Sequence, residues 1–122
     1  MIAVSTNWNS SRHQRGEALV DEVLDLGFDG LELGYALHPD LVPGIRRRQA
    51  AGDIGIRSVH AYSPVPLEAP AGHPELHLLA DPDDDARHMA IVYLLRTLEF
   101  AATMKAEAIV LHAGRIPVGR LA

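Results

Sequence analysis

The chain has 122 residues, of which 48% are hydrophobic and 22% are charged, and this composition suits one globular domain with a buried core. Sixteen acidic and eleven basic residues give a formal net charge of -5, so no general attraction to nucleic acid or to anionic membranes is expected. The sequence contains no cysteine, which excludes disulfides, thiolate metal ligands and cysteine nucleophiles.

Two further features of the sequence bear on its compartment. No apolar run approaches the roughly 20 residues of a membrane span. The start of the chain, residues 1–6, lacks the basic region of a signal peptide. The expected location is therefore the cytoplasm, with no membrane partner.

The first half of the chain alternates strand and helix patterns. A short apolar strand is predicted at residues 2–6. A helix is predicted at residues 12–26, and its apolar positions recur at helical spacing: Leu19, Val20, Val23, Leu24 and Leu26. Gly27 fits the left-handed position just past a helix end. A strand at residues 30–33, a helix at 39–51 and a strand at 54–60 follow.

The second half begins with an irregular segment. Residues 63–77 contain four prolines, which argues against a regular element and indicates a functional loop. Asp81 then predicts a helix cap, with Pro82 at the first helical position and carboxylates at the positive end of the helix dipole. The predicted buried stripe of this helix comprises Ala86, Ala90, Tyr93, Thr97, Phe100 and Met104. A fourth strand is predicted to end at His112.

The order βαβαβαβ predicts an α/β fold with a parallel sheet covered by helices. Right-handed crossovers leave two candidates, an open doubly wound sheet or a barrel. An open nucleotide-binding sheet usually has a glycine-rich turn after its first strand, but residues 7–11 here contain no glycine. We therefore expect residues 1–122 to form one domain of parallel β/α units from a TIM barrel, with about four strands, which is half a barrel.

Polar side chains stand at the carboxyl ends of the predicted strands, where a parallel barrel presents its active site. They are Asn7, Glu32, His60 and His112. Trp8 follows the first strand, either as an apolar platform of a pocket or as a plug of the barrel end. Strict alternation would place His60 on one face with Ser58 and Ile56. We expect the His60 and His112 imidazoles to point into one cavity, with Glu32 at its rim.

The histidine pair is compatible with several kinds of chemistry. Two neutral imidazoles on neighbouring strands can ligate a divalent metal, polarise a substrate carbonyl or move a proton near neutral pH. The alternative is that each histidine is only hydrogen-bonded at a barrel rim. A zinc site needs at least three protein ligands. Glu32 is a candidate third ligand, although substrate contact or an ion pair suits its position better.

Three segments resemble the first half of the xylose-isomerase-like TIM-barrel superfamily: Gly-Phe-Asp-Gly-Leu-Glu-Leu-Gly (27–34), Ile-Arg-Ser-Val-His-Ala (56–61) and Ala-Ile-Val-Leu-His-Ala-Gly (108–114). That group includes sugar phosphate isomerases and epimerases, inosose dehydratases, hydroxypyruvate isomerases and apurinic-site endonucleases. In the endonuclease branch, histidines at the ends of the third and fourth strands are zinc ligands, and His60 and His112 match them by position. The isomerase and epimerase branches take their metal from later strands, which are missing here.

The resemblance implies a function once the branches are weighed. The acidic charge, and a loop after His60 without interleaved aromatics and arginines, favour a small sugar or polyol over DNA. The implied activity is that of a sugar phosphate isomerase or epimerase, with proton transfer assisted by Mn, Mg, Co or Zn in the full barrel. In this interpretation His60 and His112 contact the substrate or complete the metal shell, and Glu32, Trp8 and Asn7 bind substrate. The alternatives are a non-catalytic half-barrel binding or assembly module and an apurinic-site endonuclease-like metal hydrolase.

Four strands cannot close an eight-stranded barrel. We therefore expect either a fragment that lacks the carboxyl-terminal half or a homo-oligomer in which two copies close the barrel. The inward residues of the fourth strand, Ala108 and Val110, are expected to meet water in the isolated chain.

Overall fold

A computed structural model describes residues 2–115, in which four strands alternate with three α-helices. The strands are β1 (Val4–Ser5), β2 (Gly30–Leu33), β3 (Gly55–His60) and β4 (Ala108–Val110). The helices are α1 (Gly16–Asp25), α2 (Val42–Ala50) and α3 (Asp84–Thr103). All strand pairs are parallel and the order in the sheet is β1-β2-β3-β4, so each helix connects neighbouring strands. The predicted α/β class with a four-stranded parallel sheet is confirmed.

The helices cover one face of the sheet. Leu31 and Leu33 of β2 are fully buried and pack in one cluster with core residues contributed by all three helices. On the opposite face, Glu32 is only partly buried, whereas Ala108 and Val110 of β4 are exposed, as the sequence predicts. The sheet is not closed within residues 2–115, because β1 and β4 each pair on one side only.

The register of β3 departs from strict alternation. Leu31 pairs with Ile56, but the next residue, Glu32, pairs with Ser58, so Arg57 is an extra residue in β3. Ile56 consequently lies in the core, 3% exposed, and the prediction that it shares a face with His60 is wrong. The irregularity ends before Ser58. Ser58 and His60, which flank the buried Val59, therefore still lie on the face opposite the core, as the alternation predicts.

The bounds of the first elements are narrower than predicted. The strand predicted at 2–6 is limited to Val4–Ser5, and the helix predicted at 12–26 begins at Gly16 after a 3₁₀ turn at Ser10–Arg12. A Cβ at Gly16 would come within 2.0 Å of the Leu41 carbonyl oxygen, so the start of α1 is pressed against the start of α2. Leu26 follows the helix end and is 56% exposed, so it does not continue the apolar helix face that its spacing predicts.

Helix α3 also begins later than predicted. Its N-cap is Asp83, whose Oδ2 accepts a hydrogen bond of 2.8 Å from the Ala86 amide, and not Asp81. Asp81 instead caps the preceding turn, since its Oδ1 accepts a bond from the Asp83 amide. The predicted positions Ala90, Tyr93, Thr97 and Met104 are buried, whereas Ala86 and Phe100 are only partly buried. No helix within residues 2–115 is long and apolar enough to cross a membrane.

Candidate functional site

The two strand-end histidines lie side by side. His60 is the last residue of β3, and His112 follows the end of β4 by two residues. Their ring centroids are 5.3 Å apart and their ring planes meet at 58°. His60 pairs with Val110 in the parallel register, so His112 emerges next to it at the carboxyl edge of the sheet. The ring of Tyr35, from the turn after β2, meets His60 edge-on at 5.1 Å.

The hydrogen bond of His60 fixes which ring nitrogen is available. His60 Nδ1 lies 3.0 Å from the carbonyl oxygen of Ala61. A carbonyl oxygen can only accept, so in the neutral ring Nδ1 carries the proton and donates it. The other nitrogen, Nε2, then holds the lone pair and can accept a proton or bind a ligand.

Glu75 joins the histidine pair from the irregular segment. Its Oε1 lies 3.6 Å from His112 Nδ1 and its Oε2 lies 3.5 Å from Arg115 Nη1, with the side chain 23% exposed. Sequence reasoning missed Glu75, because nothing in its spacing connects it to the strand ends. The signal that could have found it was the length of the proline-rich segment that carries it.

The segment around Glu75 is held by packing on α3. The ring of His77 stacks on Tyr93 at 4.5 Å with a 17° angle between planes, and its carbonyl oxygen accepts a 2.6 Å bond from Tyr62 Oη. Burial lowers the pKa of His77, which favours its neutral form in this stack. His77 therefore anchors the segment two residues beyond Glu75.

Glu32 occupies the open face of the sheet. Its Oε2 accepts a 2.8 Å hydrogen bond from Ser58 Oγ. Glu32 and Ser58 are paired in the parallel register of β2 and β3, so their side chains are neighbours on this face. His60 is two residues further along β3. The predicted carboxylate thus lies one strand away from the histidine pair and is oriented by a neighbouring hydroxyl.

Asn7 and Trp8 follow β1, and their side chains contact other parts of the chain than the histidine pair. Asn7 Oδ1 accepts a 2.9 Å hydrogen bond from the Ala36 amide, and a Cβ at Gly34 would lie 2.2 Å from the same oxygen. Asn7 therefore ties the end of β1 to the turn after β2. Trp8 is 49% exposed under the guanidinium of Arg12. Within residues 2–115, no hydrogen bond, ion pair or ring contact links either side chain to the histidine pair.

The donor set of the site does not by itself fit a metal. In the part of the chain that the structure describes, no group of three or more histidine and carboxylate side chains is arranged to hold an ion. A zinc site needs at least three protein ligands, and the histidine pair supplies two. What these residues can do on their own is accept and donate protons and hydrogen-bond to hydroxyl and carbonyl oxygens.

Comparisons with family models, curated proteins and solved structures find no match to this chain. The superfamily resemblance therefore rests on the three sequence segments quoted above.

Proposed function

We propose that the chain is the amino-terminal half of a xylose-isomerase-like barrel that isomerises or epimerises a small sugar or polyol at the carboxyl ends of its strands, in the cytoplasm. The observation that carries this proposal is the adjacency of His60 and His112, at 5.3 Å between rings, beside the Glu75 carboxylate. The four parallel strands in sequential order support it, because the first half of a barrel has this topology.

The proposed chemistry assigns each side chain a task. Isomerisation and epimerisation remove a proton from the carbon beside a carbonyl and return it elsewhere, which needs a positioned base and acid. His60 Nε2 accepts a proton, since Nδ1 donates to Ala61. His112 is the proposed acid: with Nδ1–H directed at Glu75, its imidazolium form donates the Nε2 proton to the substrate carbonyl oxygen, while His60 returns the proton it has taken to carbon. Glu32 accepts hydrogen bonds from substrate hydroxyls.

The divalent metal implied by the resemblance, Mn, Mg, Co or Zn, remains a prediction for the full barrel. Its ligands would have to come largely from other strands, because residues 2–115 contain no group of three or more histidine and carboxylate side chains arranged to hold an ion.

The test combines binding and proton exchange. Ketoses and inososes are added to the 122-residue chain with the histidine rings isotopically labelled, and the ring resonances are followed by NMR. We expect the resonances of His60 and His112 to shift, while those of His88, exposed on α3, stay unchanged. Deuterium incorporation beside the substrate carbonyl, measured with Mn²⁺, Co²⁺ or Mg²⁺ added, reports the chemical step.

Variants connect the two measurements. His60→Gln and His112→Gln should each slow deuterium incorporation by about 10²–10⁴-fold, the usual contribution of a general acid or base. His88→Gln is the matched control and should exchange at the wild-type rate. Binding without exchange, both in this chain and in one extended by the second half of the barrel, would instead favour the non-catalytic module. Resonance shifts confined to residues away from the strand ends would overturn the proposed site.

A further inference from the structure

A groove of about 300 Å³ lies between the carboxyl-terminal ends of helices α2 and α3, and we call it the α2–α3 groove. It is lined by Arg46, Gln49, Ala50, Thr103 and Lys105. None of these residues is a carboxylate. Gln49 Nε2 donates a 2.5 Å hydrogen bond to the Met104 carbonyl oxygen, which ties the end of α2 to the end of α3. Since each helix runs back to the start of the next strand, the groove lies at the amino end of the sheet, opposite to the histidine pair.

The two cations of the groove have no ion-pair partner in the part of the chain that the structure describes. The other eight arginines of residues 2–115 each pair with a carboxylate, whereas Arg46 and Lys105 do not. Asp53 and Glu107, which follow the ends of the two helices, already pair with other arginines. In a chain with a net charge of -5, two unpaired positive charges therefore lie on one groove.

These charges are not used to cap the helix ends. The carbonyl oxygens of residues 47–49 accept hydrogen bonds from the amides of residues 51–53, and those of residues 100–102 accept from the amides of residues 104–106. Neither the Arg46 nor the Lys105 side chain donates to a carbonyl oxygen within residues 2–115. Both side chains are exposed, so each can turn its charge towards a ligand in the groove.

Lys105 stands at a backbone position that favours glycine. It follows the C-cap of α3 with a φ of +54°, whereas the corresponding positions after α1 and α2 are Gly27 and Gly52. A side chain is unfavourable in this left-handed conformation. The end of α3 thus gains nothing from a lysine over a glycine in its backbone conformation, but the lysine adds an ammonium group to the groove.

We propose that the α2–α3 groove binds a phosphoryl group, either as inorganic phosphate or as part of a small phosphomonoester. A phosphate dianion has enough oxygens to accept from the Arg46 guanidinium and the Lys105 ammonium together. It can also accept from the second N–H of the Gln49 amide, whose first N–H goes to Met104. A carboxylate offers one charge and two oxygens. The volume of the groove suits a small ligand.

This proposal is independent of the sugar chemistry at the strand ends, because none of the strand-end side chains lines the groove. The experiment titrates inorganic phosphate, glycerol 3-phosphate and acetate separately into the ¹⁵N-labelled intact chain at pH 8. Sodium chloride keeps the ionic strength constant, since exposed charges are screened by salt. The resonances of the Lys105 backbone amide and the Gln49 side-chain amide are followed by NMR.

We expect saturable shifts of both resonances with phosphate, with a dissociation constant on the order of 1–10 mM for so few contacts. Acetate should bind about fivefold more weakly or worse, because it has one charge. Glycerol 3-phosphate distinguishes the sources. Tighter binding of the ester would identify a phosphorylated small molecule as the ligand, and equal or weaker binding would identify free phosphate.

Variants locate the charges. Arg46→Gln and Lys105→Gly should each weaken phosphate binding by about fivefold, and the double variant should abolish it. Lys105→Gly also removes the strained side chain, so its melting temperature should not fall, which separates lost binding from lost folding. Arg47→Gln is the matched control: it removes one charge from the next position of α2, outside the groove, and should bind phosphate as the wild type does.

Three results would overturn the proposal. They are an equal loss of affinity in Arg47→Gln and Arg46→Gln, wild-type affinity for phosphate in the folded double variant, and the absence of saturable shifts at Lys105 and Gln49 up to several tens of millimolar phosphate.

Discussion

Glu22 of α1 holds the turn that precedes its own helix. Its carboxylate accepts hydrogen bonds from Asn9 Nδ2 at 2.9 Å and Arg12 Nη2 at 2.5 Å, and it lies 2.5 Å from His13 Nε2. The contact with His13, followed by those with Arg12 and Asn9, lowers the pKa of Glu22 from 4.5 to about 2. The ionised carboxylate is thus the form that the folded state favours.

This pKa predicts a pH dependence of stability. A folded-state pKa below the unfolded value means that Glu22 stabilises the fold fully above about pH 4.5, and that this contribution is lost as the pH falls towards 2. Glu22→Gln should therefore have a lower melting temperature than the wild type at pH 6, with the difference shrinking towards pH 2. Thermal unfolding followed by circular dichroism measures this, with Glu99→Gln, at an exposed carboxylate, as control. A gap that is constant with pH would contradict the assignment.

At the same scale, the sequence identifies the histidine pair but not its surroundings. His60 and His112 are predictable because each closes an apolar strand pattern, and parallel strand ends meet at one edge of a sheet. Glu75 and Tyr35 are not, because they lie in turns whose course depends on tertiary packing such as the His77 stack on Tyr93. The predicted substrate contact of Asn7 stays a prediction, whereas its hydrogen bond with the Ala36 amide depends on the turn after β2 and could not be predicted from the sequence.

Helices and strands are predictable in order and kind, but not in their local irregularities. The spacing of apolar residues changes between the strand period and the helix period along the chain, and this predicts the order of the elements. Gly27 and Gly52 follow the ends of α1 and α2 with φ angles of +89° and +82°, at which a residue with a side chain would be strained. The extra residue Arg57 in β3 breaks the two-residue period, so the face of Ile56 could not be read from alternation.

The start of α3 provides a test at this scale. Asp83→Ala removes the acceptor for the Ala86 amide and should lower the free energy of unfolding by about 1 kcal/mol, whereas Asp83→Asn, which retains an acceptor oxygen, should lower it much less. Urea unfolding measures both variants. Asp81→Ala is the informative comparison, because the sequence favours Asp81 as the cap and the structure favours Asp83. A larger loss at Asp81 would restore the sequence-based boundary.

Apolar side chains are exposed to solvent at two places in the described part of the molecule, on helix α3 and on the open face of the sheet. On α3, a row at helical spacing is about half exposed: Ile91 at 48%, Leu95 at 54% and Leu98 at 45%. On the open face of the sheet, Val110 is 39% exposed at the edge strand β4, which pairs on one side only within residues 2–115. Each surface is of the kind that soluble proteins cover with another element or another chain.

We therefore predict that the 122-residue chain associates with itself. At about 25 cal/mol per Å², covering a few hundred Å² of apolar surface contributes several kcal/mol, which is comparable with the stability of a small domain. Sedimentation velocity should show a mass that rises with concentration. Leu95→Glu and Val110→Glu should each raise the dissociation constant by tenfold or more if their surface is covered, while His88→Glu, also exposed on α3, should not. A chain that stays monomeric and melts cooperatively at every concentration would contradict the half-barrel proposal. The inner face of a half barrel is apolar, and such a result would show that this face of the sheet is stable in water. It would favour an open sheet instead.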